Sequence, residues 1–220
     1  MESKQFGVIG LGRFGSSVAK TLSDLGYEVL AIDSNEERVE EVKDFVTHAV
    51  CADATDEQTL KAVGIKNCDE VVVAIGQEMH NSILITLILK ELGIKKVWAK
   101  AQNDLHGKIL AKVGADVVVY PEKEMGVKVA NKMVANNILE FIDLSDEYSI
   151  LEINIPPRYA GKTIKEIDVR AKYGFTILAI KRGEQLVISP SSDEVLQLGD
   201  ILVLIGRNEN FKKLERDIGD

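Results

Sequence analysis

An apolar strand, Gln5 to Ile9, runs directly into Gly10-Leu11-Gly12-Arg13-Phe14-Gly15, and a second apolar run ends on Asp33, 18 positions after the last of these glycines. Strand, GxGxxG, helix and acid in that order are the fingerprint of a fold that holds phosphates at a helix N-terminus. Gly10 permits the tight turn, Gly12 removes a side chain that would block a phosphate, and Gly15 lets the helix pack close to the strand. The helix start supplies free N–H groups and a partial positive charge. Arg13 can fork onto a phosphate, including a terminal one, and Phe14 stands beside it. Asp33, with Ser34 next to it, can accept from ribose hydroxyls and repels a 2′-phosphate, which disfavours NADP. The alternative is a glycine-rich turn with no ligand.

The same pattern continues for some 120 residues. Gly26, Gly64, Gly93 and Gly114 each stop a helical stretch and precede an apolar run, as C′ glycines do. Gln5 to Ile9, Tyr27 to Asp33, Asp69 to Gly76, Lys96 to Ala101 and Ala115 to Tyr120 read as strands alternating with helices, and Ala49 to Ala52 reads as a further short strand. Val71-Val72-Val73-Ala74-Ile75 is apolar on both strand faces, which requires helices on either side of a parallel sheet. The expected fold class is therefore α/β: a Rossmann-like, doubly wound parallel sheet. Asp53-Ala54-Thr55 falls beside the adenine side of such a crevice, or caps the next helix. Ala74-Ile75-Gly76 closes the fourth strand near the switch point, where Gly76 permits close backbone approach.

Pro121 ends this pattern. Val127, Ala130, Val134, Ile138 and Phe141 recur at spacings of three and four, which predicts a long helix from Glu122 to Phe141, with Glu122 and Glu124 in its first turn. Such a helix suits a crossover or dimer arm, or is the last helix of the sheet. Beyond it, Tyr148 to Ile155 alternates at period two until Pro156-Pro157. A short helix from Thr163 to Ile167, strands at Thr176 to Lys181, Gln185 to Ser189 and Ile201 to Ile205, and a helix from Asn208 to about Ile218 complete a small α+β module. The expected domains are thus 3–121, a connecting helix 122–141, and 142–220.

Composition narrows the function. A net charge of −8, with no basic stripe, argues against nucleic acid as a partner. Cys51 and Cys68 form no CxxC, and no secretory leader precedes the first strand, so the cytosol is the expected compartment. The longest apolar stretch, Ile83 to Leu89, is far shorter than the roughly 20 residues of a membrane span. His48, His80 and His106 share no metal-ligand spacing and read as surface or packing residues.

Ile9 to Gly15, Asp33, Asp53-Ala54-Thr55, Val73 to Gly76, Lys100-Ala101-Gln102-Asn103 and Pro121 to Gly126 resemble the bacterial RCK proteins that regulate potassium uptake. Ser145 to Ser149, Val169 to Gly174 and Gly199 to Gly206 resemble the RCK C-terminal subdomain, so the likeness covers nearly the whole chain. It is nearest the single-copy KtrA and KtrC type of the TrkA/Ktr family. The resemblance implies homodimers assembled as an octameric ring, docked at the inner face of the cell membrane beneath a potassium translocator of KtrB or KtrD type. It implies ATP or ADP, or NAD(H), in the crevice, held by Gly10, Gly12, Arg13, Phe14, Gly15, Asp33, Ser34, Asp53, Ala54, Thr55, Ala74, Ile75, Gly76 and Lys100. Arg13 would read the γ-phosphate, in its own crevice or across the dimer, and Glu122 would join its dimer mate around a divalent cation, Mg or Ca. Glu122 is otherwise a plain helix N-terminal acid. The C-terminal subdomain would take cyclic di-AMP between two copies, with Arg170 facing a phosphate and Ile164, Ile167, Ala171 and Tyr173 around it. Arg170 reads equally as a surface charge, and the isoleucines as core.

Two functions compete. An NAD-dependent oxidoreductase needs a proton donor beside the nicotinamide, yet the C-terminal 80 or so residues contain no histidine. A switch needs only two ligands that favour two conformations unequally, and Arg13 with a metal at Glu122 supplies that difference. The expectation is a non-enzymatic gating subunit. A redox-sensing repressor would need a basic DNA-reading helix.

Overall fold

The computed structural model describes residues 4–76, 78–134 and 138–218. The chain divides into two compact units, Met1–Glu124 and Met125–Asp220.

In the first unit the strands are β1 (Gln5–Ile9), β2 (Glu28–Asp33), β3 (His48–Cys51), β4 (Glu70–Val73), β5 (Lys96–Lys100) and β6 (Val117–Val119). They form one sheet in the order β3-β2-β1-β4-β5-β6, and every pair is parallel. The helices between them are α1 (Arg13–Asp24), α2 (Glu36–Val42), α3 (Glu57–Ala62), α4 (Met79–Glu91) and α5 (Asp104–Lys112). The order reverses between β1 and β4, which opens a crevice at the carboxyl ends of these strands. Val8, Ile9, Val29, Ile32, Val71 and Val73 are all at most 1% exposed, so both sheet faces are covered, as a parallel sheet requires. Gly26, Gly64, Gly93 and Gly114 all have positive φ, the conformation that lets a helix end and turn into the next strand.

Helix α6 (Pro121–Val134) crosses the boundary between the units, with Glu122 and Glu124 in its first turn. It is shorter than the expected 122–141 helix. Ile138–Asp143 is instead a strand, β7, that pairs antiparallel with β8 (Tyr148–Asn154). Ile138 and Phe141 fit a helical spacing, but β-branched and aromatic residues serve a strand equally well, and an unpaired β8 edge decides between them.

The second unit adds α7 (Ile164–Ile167), α8 (Val169–Tyr173), β9 (Thr176–Arg182), β10 (Gln185–Ile188), β11 (Ile201–Arg207) and α9 (Phe211–Ile218). Its sheet runs β10-β9-β11-β8-β7, all antiparallel. Leu151, Ile153, Phe175, Ile180, Leu202 and Leu204 lie on its covered face with Leu214 of α9.

Candidate functional site

The glycine loop leaves β1 at Gly10, whose φ of +93° only glycine adopts readily. Its N–H donates to the Ile32 carbonyl at 2.8 Å, tying the turn to β2. Gly15, one turn into α1, packs so closely that a Cβ there would lie 1.8 Å from the Gly10 carbonyl oxygen. Gly12 is the opposite case. It is the N-cap of α1, no side chain caps that helix end, its first turn carries no acid, and a Cβ at Gly12 would meet nothing within 4 Å. The helix start is therefore bare, and its N–H groups and dipole are available to an anion.

Asp33 ends β2 and is nearly buried. Its Oδ2 accepts from the Leu11 N–H at 2.6 Å and its Oδ1 from the Asn35 N–H at 2.8 Å, with the Arg38 guanidinium 3.5 Å away. The acid that sequence assigns to a ribose also braces the glycine loop; a carboxylate has about four acceptor sites, so both tasks fit. Ser34 is exposed, and its carbonyl accepts from the Cys51 thiol at 3.6 Å. Asp53 does not cap α3. Its Oδ1 accepts from the N–H and hydroxyl of Thr55 at 2.9 and 2.7 Å, which closes a local turn. The cap is Asp56, which accepts from Gln58 and Thr59. Ala54 sits in the core beneath.

The other wall of the crevice is built from β4, β5 and the start of α6. Ala74 is buried, and a Cβ on Gly10 would lie 3.0 Å from Ile75. A Cβ on Gly76 would lie 3.4 Å from the Lys100 ammonium. Lys100, the last residue of β5, is nearly buried; its ammonium lies 5.7 Å from the Phe14 ring centroid and donates to Glu122 Oε1 at 2.5 Å. That hydrogen bond holds the Glu122 carboxyl below the ordinary carboxylate range, against partial desolvation; its own N–H and the charges of Lys100 and Arg13 add to the effect. Arg13, Phe14, Gly76, Lys100 and Glu122 are thus gathered at one end of the crevice. Among the described residues no group of three or more His, Cys, Asp or Glu side chains converges on a metal position.

The second set is gathered less well. α7 begins with a capping box, Thr163 with Glu166, and Asp168 at φ +46° joins it to α8. Ile167 and Tyr173 are buried in the core of the single chain, on the inward faces of these short helices. Ile164 is half-buried against that core, while Arg170 and Ala171 are exposed.

Sequence reasoning left the burial of two polar groups open. His106, read as surface or packing, is 1% exposed; its Nδ1 accepts from the Gln102 N–H at 3.3 Å and its Nε2 has no hydrogen-bond partner. Asp200, 1% exposed, is gripped by both arms of Arg182 at 2.9 and 2.8 Å. The Gly199-Asp200 turn ahead of β11 was the only sign of it.

A model of the TrkA-N domain matches residues 6–121 and one of the TrkA-C domain matches residues 149–219. The chain is 48% identical to Ktr system potassium uptake protein C of Bacillus subtilis (strain 168), over 98% of this chain and 97% of that one. It is 41% identical to Ktr system potassium uptake protein A of Vibrio alginolyticus, over 94% of each. Among solved structures, the GsuK channel bound to NAD aligns with a TM-score of 0.53 at 28% identity, over 100% of this chain and 39% of that one. GsuK bound to ADP aligns with a TM-score of 0.50 at 27% identity, over 58% of this chain and 33% of that one. The chain spans well under half of these channel chains.

Proposed function

The chain belongs to the family of Ktr potassium uptake proteins that carry TrkA-N and TrkA-C domains, and on that premise we propose that it is the regulatory subunit of a membrane potassium translocator, switched by an adenine nucleotide in its first unit. No helix among the described residues is long and apolar enough to cross a membrane, so membrane attachment falls to the partner. The observation that carries the reading is the bare start of α1 at Gly12, flanked by Arg13 and Lys100. A helix N-terminus with two cations beside it favours a polyphosphate. Asp33 takes the ribose and Asp53-Ala54-Thr55 the adenine side.

ATP and ADP differ by one phosphate, and only a differential contact with that phosphate moves a conformational equilibrium. Arg13 is the group we assign to it. Glu122 would hold a divalent cation together with phosphate oxygens and a second copy's carboxylate; Mg or Ca there neutralises the crowded negative charge. NAD(H) competes for the same crevice. Homodimers joined through α6 and assembled into an octameric ring would carry the shape change to the translocator. Met125, Val127, Val129 and Met133 on α6 are each between 49% and 78% exposed in the single chain, which supports that role. In the second unit we assign Arg170, with Ile164, Ile167, Ala171 and Tyr173 around it, to the site that two copies would close around cyclic di-AMP; Arg170→Ala should abolish that binding, and unchanged binding places the dinucleotide elsewhere.

Calorimetric titration tests the reading. ATP and ADP should both bind, and Arg13→Ala should weaken ATP about tenfold or more while changing ADP by less than about twofold. Equal loss for both refutes the γ-phosphate role, and binding of neither refutes the nucleotide reading. Steady-state NADH oxidation separates switch from oxidoreductase: turnover favours the enzyme.

A further inference from the structure

Lys100 and Glu122 meet across the crevice under unequal conditions. The Lys100 side chain is 11% exposed and the Glu122 side chain 71% exposed. A nearly buried ammonium needs a counter-charge at all times, since an unpaired buried charge is strongly unfavourable. An exposed carboxylate released to water loses little. The pair is therefore one-sided: Lys100 requires a partner, and Glu122 is only the partner at hand. The ammonium also faces the right way for another. It lies 5.7 Å from the Phe14 ring in the first turn of α1 and beside the bare backbone of Gly76, at the mouth of the phosphate-binding helix end.

We propose that Lys100 and Glu122 form an exchangeable latch: Glu122 holds the Lys100 ammonium while the crevice contains no phosphate, and an entering phosphate takes its place and releases the Glu122 carboxylate. This rests on the nucleotide reading above. The latch makes phosphate binding and the freeing of Glu122 one event, so the carboxylate is presented to its next ligand only when a nucleotide is in place. It also caps the affinity, because every nucleotide must displace an existing ion pair. Adenosine, which has no phosphate, leaves the latch closed.

The test is a double-mutant cycle on the full chain in metal-free buffer, with ATP, ADP and adenosine titrated into wild type, Glu122→Gln, Lys100→Gln and the double variant. Glu122→Gln should tighten ADP and ATP about tenfold, because Lys100 is then unpaired and waiting. Adenosine should be unaffected. The gain should vanish in the Lys100→Gln background. A gain that persists without Lys100 is simple removal of like charge, and overturns the latch while leaving the nucleotide reading intact. Absence of a gain overturns it too. Failure of wild type to bind any adenylate overturns the nucleotide reading and the latch with it. Should Lys100→Gln not fold, the wild type supplies the second measurement: at fixed pH, metal-free ADP should move the 13C shift of the Glu122 carboxylate toward that of a free glutamate, and an unmoved signal contradicts exchange.

Discussion

Gly12 and Gly15 stand three positions apart and have opposite tolerances. A methyl group on Gly12 enters open space, whereas one on Gly15 enters the Gly10 carbonyl at 1.8 Å. Gly12→Ala should therefore change stability by less than about 1 kcal/mol, yet weaken nucleotide at least about tenfold. Gly15→Ala should destabilise the first unit by about 3 kcal/mol or more, since backbone is the obstacle. Urea unfolding and calorimetry together check both. This contrast was legible in sequence because each glycine's task is a backbone task fixed by the motif. The Lys100–Glu122 pair was not: 22 positions separate its members, on different elements, and only the fold brings them together. Whether His106 was a surface or a packing residue stayed open for the same reason, since nothing local announces burial. Burial lowers its pKa below the ordinary 6.5, which favours the neutral imidazole in the folded state. The unfolded chain takes up the proton first as pH falls. The contribution of His106 is complete above about pH 6.5 and is lost below it, by at most about 1.4 kcal/mol per pH unit. His106→Gln should flatten the stability profile between pH 7.5 and 5.5; an identical profile would show that the imidazole is not the titrating group.

Among the elements, the α/β half was readable almost throughout, because uniformly apolar strands and glycine-stopped helices have one sensible arrangement. The reading failed at 138–143, where Phe141 meets both periods. Its ring finds Phe211 of α9 edge-on at 5.6 Å, and its backbone pairs with Leu151 of β8. Tertiary partners decide such segments. The second unit is pinned by Arg182, which joins β9 to Asp200 and Glu194 and to the Val195 carbonyl. Burial alone would raise the Asp200 carboxyl, but the Arg182 fork and the Gln197 N–H outweigh it and leave its pKa lowered. Stability from this cluster is present above the ordinary carboxylate value near 3.9 and is lost as pH falls through the depressed folded value. Arg182→Met strands a buried carboxylate and should destabilise the unit by about 3–5 kcal/mol; thermal unfolding near pH 7 measures it. A loss under about 1 kcal/mol would mean that solvent already reaches Asp200.

At the scale of the whole molecule, the proposed assembly joins copies through the exposed apolar residues of α6. Met133 is 78% exposed; Met133→Glu should shift the assembly to smaller species in light scattering, while an unchanged mass would put the interface elsewhere. Composition argued against a nucleic-acid partner, and no helix among the described residues is long and apolar enough to cross a membrane, but a ring and a translocator would leave no local mark on one chain. Both are proposals, argued from family membership and from the exposed surface of α6. Potassium flux through a Ktr-type translocator reconstituted with this chain is the most direct measurement of the switch. ATP should support greater flux than ADP, and Arg13→Ala should erase the difference; equal flux with both nucleotides in the wild type would contradict nucleotide-controlled gating.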